Sequence, residues 1–166
     1  MSFDAYLQIK DAPGECTDDK HKDWIEIASY SHHIHQPASA TASSAGGATA
    51  ERVEHGTFDF VHLLDKATPK LFEFCCTGKH LPEVVIELCR AGGDKFKYME
   101  IKLSAVIVST ISTNASSRGD SNFPTETVSL SYGKIVETYF QQKRADGSGG
   151  GQVTAGWDLM ANKKAG

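Results

Sequence analysis

The chain has 166 residues, of which 40% are hydrophobic, so it is long enough to bury a sizeable core and is not a mainly disordered protein. Its 17 Lys and Arg against 21 Asp and Glu give a net charge of −4, which argues against nucleic-acid binding as the principal function. The short basic pairs at 143–144 and 163–164 are interpreted as ordinary solvated charge.

No apolar run reaches the roughly 18 residues that a membrane span requires. The N-terminus, MSFDAY, has neither the basic region nor the apolar region of a signal peptide, so we expect no leader and no membrane anchor. The four cysteines Cys16, Cys75, Cys76 and Cys89 have no C-x-x-C spacing, and we expect reduced thiols in a chain made in the cytoplasm.

Apolar and polar residues mostly alternate, which predicts a mainly β protein. The predicted strands, in chain order, cover residues 5–10, 24–35, 53–62, 84–90, 97–105, 125–132, 135–142 and 153–160. In the strand at 97–105 we expect Met99, Ile101, Leu103 and Ala105 to share one face, and the alternation is lost after Val106, as at a bulge or a doubly buried segment. Glycine-rich turns are predicted at 91–94 and 146–151.

One segment predicts a short helix, beginning after an N-cap at Thr68 with Pro69 in its first turn and ending at Gly78. Leu71, Phe74 and Cys75 recur at helical spacing and predict the face that packs on the sheets. Cys75 and Cys76 are interpreted as small hydrophobic residues on a buried helix face.

Residues 36–50 carry no charge and no large apolar group, although both flanks look like strands. Long loops inside compact domains are usually functional or disordered, so this segment is either a loop that contacts a partner surface or an ordinary surface loop.

Seven histidines raise the question of a metal site. His33 and His35 share one face of a strand and His55 on the next strand is a candidate third ligand, but no Cys or carboxylate stands at a recognisable spacing from them. The sequence also lacks a nucleophile elbow, a phosphate-binding glycine loop and a zinc-protease helix. We therefore expect no catalytic residue, no cofactor and no tightly bound metal.

Several segments in order along the whole chain resemble the haemolysin-coregulated protein family, Hcp, whose members build the tube of bacterial type VI secretion. These segments are residues 58–71 (FDFVHLLDKATPKL), 76–80 (CTGKH), 90–93 (RAGG), 98–101 (YMEI), 106–110 (VIVST), 139–143 (YFQQK) with 146–147 (DG), and 156–159 (GWDL). The sequence departs from this resemblance at two places. First, the 36–50 loop is Ala/Ser/Thr-rich where relatives are often glycine-rich, and we expect this to change ring contacts. Second, the pair Val61-His62 replaces a frequent Thr-Lys pair, and we expect a change of local surface charge.

The resemblance implies a single domain over residues 1–166, a β-barrel of two sheets with one short flanking α-helix and a long extended loop. It implies homo-hexameric rings that stack into a hollow tube, partners in a tip spike protein, a contractile sheath and secreted effector proteins, and no nucleic acid or membrane as partner. Such a chain is located in the bacterial cytoplasm before assembly and is then secreted through the type VI machine without a signal peptide.

Two sets of residues are candidates for this function. We expect the same-facing polar residues of the second strand to line the bore and to contact effectors; they are Ser29, Ser31 and His33. We expect the long loop to lie against the neighbouring subunit through its polar and glycine residues, which are Gln36, Ser39, Thr41, Ser43, Gly46, Gly47 and Thr49. The alternative is a small β-barrel that binds a ligand or metal in a histidine-lined site, and a ring with a wide bore distinguishes the two. A chain that is itself a toxin is a third possibility, which we set aside because we expect no fused effector domain after the tube-like segment.

Overall fold

The computed structural model describes residues 2–37, 52–93, 95–118 and 123–166. The mainly β prediction is confirmed, with one helix and ten strands in the described residues. The strands are β1 Phe3–Ile9, β2 Ile25–Glu26, β3 Ser29–His35, β4 Glu54–Leu63, β5 Leu81–Arg90, β6 Lys97–Asn114, β7 Thr125–Ser131, β8 Lys134–Gln142, β9 Gly149–Asp158 and β10 Lys163–Ala165; the helix α1 is Thr68–Thr77 and lies between β4 and β5.

The strands form two antiparallel sheets that share β6. Sheet A has the order β10-β9-β8-β6-β5-β1-β2, and sheet B has the order β3-β4-β7-β6. Neither sheet closes on itself, so the barrel of the sequence prediction is an open, two-sheet structure around one core.

Strand β6 passes from sheet A to sheet B near Ala105. Up to Ser104 it pairs with β8, and from Ile107 onward it pairs with β7. Ala105 has a φ of 52°, in the left-handed region that L-residues with a side chain rarely adopt. The Gly133 N–H, in the two-residue turn from β7 to β8, donates to the Ser104 and Ala105 carbonyls at 2.9 and 3.2 Å and holds this bend.

The bend corrects two details of the predicted strand. Ala105 is exposed instead of sharing the buried face of Ile101 and Leu103, because the positive φ resets the alternation so that Val106 and Val108 point into the core. The strand also continues to Asn114, well past the predicted end, with a register shift between Val108 and Thr110.

The strand predicted at 24–35 is in fact two strands in different sheets. β2 pairs with β1, and β3 pairs with β4. The chain turns the corner at Ile27 and Ala28, whose N–H groups donate to Ala5 O in sheet A and Val61 O in sheet B. Both residues keep backbone hydrogen bonds at the corner, and the apolar–polar alternation shows no interruption there. The sequence therefore gives no indication that the segment is divided between two sheets.

Helix α1 packs against β6 and places Leu71 and Phe74 in the core, as predicted. Its end at Gly78 is confirmed, since Gly78 has a φ of 62° and donates its N–H to Phe74 O. The N-cap prediction is wrong: Ala67 occupies that position, and the Thr68 hydroxyl instead accepts the Asp65 N–H at 3.2 Å. Cys75 is half-buried but Cys76 is exposed, so only one of the two neighbouring thiols lies on the packed face.

The turn after β5 is where the sequence placed it, closed by a hydrogen bond from the Arg90 N–H to Phe96 O. The glycine-rich segment before the last long strand is shorter than predicted, because Gly149 already belongs to β9 and pairs with Gln142. Within the described residues, no helix is long and apolar enough to span a bilayer.

His62 is fully buried, which overturns the expectation that it changes surface charge. It lies on the inner face of β4, and its Nε2–H donates to Glu126 Oε1 of β7 at 3.1 Å. Glu126 is also buried, and Asp65 Oδ1 lies 3.8 Å from His62 Nδ1. The core of sheet B therefore contains a hydrogen-bonded pair of ionisable side chains.

Removing one member of this pair is expected to destabilise the protein by about 3–5 kcal/mol, because the other is left buried without its partner. We expect this loss for His62→Leu and for Glu126→Leu in urea unfolding monitored by circular dichroism. The double variant is expected to be about as stable as the wild type, because well-packed apolar residues replace the whole pair. If the double variant instead lost a free energy of unfolding equal to the sum of the two single-variant losses, the two side chains would have no energetic coupling.

Candidate functional site: the outer face of sheet B

The outer face of sheet B carries two cross-strand rows of mostly hydroxyl side chains, which we call the hydroxyl face. The rows follow from the strand register, since residues directly opposite in an antiparallel sheet share a face. They are Ser29-Val61-Thr127-Ser112 and Ser31-Asp59-Ser129-Thr110. All eight side chains are exposed or half-buried.

The hydroxyl face exists because β4 and β7 alternate between side chains buried on the inner face and side chains directed outward. Phe58, Phe60, Val128 and Leu130 point inward and are fully buried, so the residues between them must point outward. Within the two rows, Asp59 is the one charged group and Val61 the one apolar group. Asp59 accepts a hydrogen bond from the Thr57 hydroxyl at 2.7 Å. The face is therefore polar and nearly neutral.

Two of the three predicted bore residues, Ser29 and Ser31, lie in these rows. His33 is exposed on the same strand but stands at a register shift between His32 and Ile34, where Gly56 of β4 approaches its carbonyl. A Cβ on Gly56 would lie 3.1 Å from His33 O, so the close approach depends on the glycine. His33 thus lies at the end of the hydroxyl face, outside its regular pairing.

Sequence reasoning missed the half of the face that β6 and β7 supply. Thr110 and Ser112 lie beyond the predicted end of β6, and Thr127 and Ser129 were not singled out. The signal that could have found Thr127 and Ser129 is the hydroxyl residue at every second position of 125–131 (TETVSLS).

Most of the predicted ring-contact loop lies outside the described residues. This holds for Ser39, Thr41, Ser43, Gly46, Gly47 and Thr49. Gln36 is described; it follows β3, and its Nε2–H donates to Pro37 O at 3.1 Å.

The histidine site weighed from the sequence is not assembled. His33 and His35 do share a face, with stacked rings 6.3 Å apart, but His55 lies with His32 around the Tyr132 hydroxyl. His55 Nδ1 is 2.9 Å from that hydroxyl, which can donate to one ring and accept from the other. Burial lowers the pKa of both His32 and His55 and raises the pKa of Tyr132, so these groups are neutral at pH 7.

A different group could hold a metal by distance alone, namely His21, Glu87 and Cys89. Both ring nitrogens of His21 are already bound, to Asp18 Oδ2 and Glu87 Oε2 at 2.7 Å each. Burial, with the nearby Glu87 carboxylate, raises the pKa of Cys89 to about 11, so its thiol stays protonated. Hydrogen bonds from His21 and Lys95 lower the pKa of Asp18 to about 2. Within the described part of the chain, this group is a satisfied charge network.

Comparisons with known proteins agree with one another over nearly the full chain. The family model described as "Type VI secretion system effector, Hcp" matches residues 6–139. The protein hcp1 of Pseudomonas aeruginosa is 32% identical, covering 99% of this chain and 100% of its own.

Two solved structures extend the likeness to three dimensions. The crystal structure of Hcp1 from Salmonella typhimurium is 34% identical with a TM-score of 0.82, over 99% of this chain and 100% of that one. A structure described as a type six secretion system protein is 30% identical with a TM-score of 0.91, over the same shares of the two chains. By sequence and by fold, the chain belongs to the Hcp family of type VI secretion proteins.

Proposed function

We propose that this chain is a tube-building component of a type VI secretion system, in which six copies close into a ring and rings stack into a hollow tube. Membership of the Hcp family supports a structural and transport role rather than catalysis. The alternative of a histidine-lined ligand or metal site is not favoured, because His33 and His35 lie on one face of sheet B and His55 of β4 lies on the other, beside Tyr132.

The hydroxyl face is the observation that carries this proposal. A bore through which folded cargo slides should be smooth, polar and weakly charged, because apolar patches or strong charges would hold the cargo. Four strands of sheet B from each of six copies, spaced about 4.8 Å apart, give a wall of about 115 Å circumference and a bore about 37 Å wide. A bore of that width admits a small folded protein.

In this proposal Ser29 and Ser31 line the bore with the rest of the hydroxyl face, and His33 lies at its rim. Effector proteins pass through the bore, a spike protein caps the tube and a contractile sheath surrounds it. The chain is made in the bacterial cytoplasm and leaves through the machine itself. The loop at 36–50 contacts the neighbouring subunit, because its small neutral residues allow close backbone approach.

Cysteine accessibility tests the bore assignment. In a Cys76→Ser background, which removes the exposed native thiol, Ser31→Cys is expected to react with a small maleimide but slowly with a maleimide on a polymer wider than the bore. Lys102→Cys, on the outer face of sheet A, is the matched control and should react with both reagents. The polymer should label Ser31→Cys freely once the ring is dissociated.

Equal polymer labelling of the two positions in an intact hexamer would show that sheet B does not face the bore. If light scattering showed the wild-type protein to be monomeric at every concentration, the proposed ring would be wrong.

Loop replacement tests the proposed contact of residues 36–50. Exchanging 38–50 for a short Gly-Ser link should shift the hexamer toward monomer without changing the circular dichroism spectrum, since the segment has no large apolar group to place in the core. A Gly-Ser segment of the original length is the control that separates loop length from loop sequence. A shortened protein that remains a hexamer of unchanged thermal stability would show that the loop makes no ring contact.

A further inference from the structure

A basic pocket lies at one end of sheet A. It is a concave surface of about 700 Å³ lined by Arg90 at the end of β5 and by Lys143 and Arg144 after β8, with polar Gln141 and Gln142 between them. No carboxylate lines it, and none of its three cations takes part in an ion pair within the described ranges. Other lysines, by contrast, are paired, as Lys95 is with Asp18 at 3.0 Å. The pocket is thus an uncompensated positive site on an acidic chain.

The β8–β9 hairpin that carries this pocket forms a ribbon whose tip extends beyond β6, because β6 pairs with β8 only as far as Tyr139. Every residue of β9 from Gly149 to Ala155 is exposed, and β10 covers the outer edge of β9 only from Gly156 to Asp158. Val153 is 72% exposed and its cross-strand partner Tyr139 is 46% exposed. Only the tip of this ribbon, residues 140–142 with 149–152, is two-stranded, and among the described residues no further strand pairs with the edge of β9 there. An unpaired strand edge of this kind is available for contact with another chain.

A second pocket, of opposite charge, lies between β2 and the end of β4. Its carboxylates are Glu15, Glu26 and Asp65, and Leu63, Leu64 and Phe123 supply its apolar wall. Phe123 is 77% exposed. Burial, with the neighbouring Glu15 carboxylate, raises the pKa of Asp65. The nearest lysine ammonium, on Lys66, is directed to Asp23 at 3.5 Å and leaves the pocket acidic.

The β8–β9 ribbon and the β2 side of the acidic pocket lie toward opposite edges of sheet A, and the basic pocket also extends inward to Arg90 at the end of β5. The ribbon belongs to β8 and β9, whereas Glu26 belongs to β2, and β6, β5 and β1 lie between them. Five strand spacings of about 4.8 Å separate β9 from β2, a distance of about 24 Å. A closed ring needs two different, complementary surfaces on each subunit, one for each neighbour.

We propose that these two surfaces meet between neighbouring copies of the chain: the basic, ribbon-borne pocket of one copy docks on the acidic pocket of the next. The exposed Val153 and Tyr139 then cover the apolar wall around Phe123, and Lys143 and Arg144 reach the carboxylates. This inference rests on the proposed ring and names the pair of surfaces that closes it.

Two charge-reversed variants test the contact. Lys143→Glu/Arg144→Glu makes the basic pocket acidic, and Glu15→Lys/Glu26→Lys makes the acidic pocket basic. In either variant alone the docking surfaces carry like charges, which repel. Light scattering should therefore show loss of the hexamer, of about 108 kDa or six times 18.0 kDa, in favour of the 18.0 kDa monomer.

An equimolar mixture of the two variants should restore the ring. Each acidic ribbon then faces a basic pocket and each basic ribbon an acidic pocket, so the subunits alternate. Native mass spectrometry should detect hexamers with three copies of each variant. If a double variant fails to fold, the single exchanges Arg144→Glu and Glu26→Lys give the same alternating test.

The matched controls reverse the same number of charges elsewhere on the surface. Lys163→Glu/Lys164→Glu and Glu54→Lys/Glu83→Lys should remain hexameric, because these exposed residues line neither pocket. A hexameric wild type whose two reversed variants stay hexameric, or whose mixture does not reassemble, would overturn this inference and leave the ring standing. A monomeric wild type would instead overturn the proposed function.

Discussion

The bend of β6 at Ala105 is the constraint on which the rest of the structure depends. One strand serves both sheets, so the point at which it leaves sheet A sets the position of sheet B. The Gly133 N–H fixes that point by donating to two successive carbonyls, and the positive φ of Ala105 switches which side chains point inward. Because of this switch, Val106 and Val108 complete the core, and the register shift between Val108 and Thr110 then directs Thr110 and Ser112 outward.

The same division of faces links stability to function. The inner face of sheet B is tightly packed and contains the buried His62–Glu126 pair, whereas its outer face is a sheet of hydroxyls with a single carboxylate in its two rows. The two charged pockets lie away from this face, one at the ends of β5 and β8 and the other between β2 and the end of β4, where contacts between subunits can use them.

Sequence alternation predicted the strands and the helix well, because period-two and helical spacing report directly on which residues are buried. It failed at Ile27, where the backbone changes sheet without a break in the pattern. Near Ala105 the loss of alternation after Val106 indicated an irregularity, but it did not show that the strand passes from one sheet to the other. The sequence predicted only part of the candidate site. Ser29 and Ser31 were named from the alternation of their own strand, but their partners on β6 and β7 depend on strand register, which the sequence of one strand does not encode. His62 looked like a surface residue because its buried partner, Glu126, lies 64 positions away.

The most direct test of this account is an electron cryomicroscopy map of the assembled protein at a resolution that shows strands. The account predicts a six-fold ring in which sheet B faces the axis, with Ser31 and Asp59 at the surface of the bore and the β8–β9 ribbon against β2 of the neighbouring copy. A map in which sheet A or α1 faces the axis, or in which the copies form no ring, would contradict it.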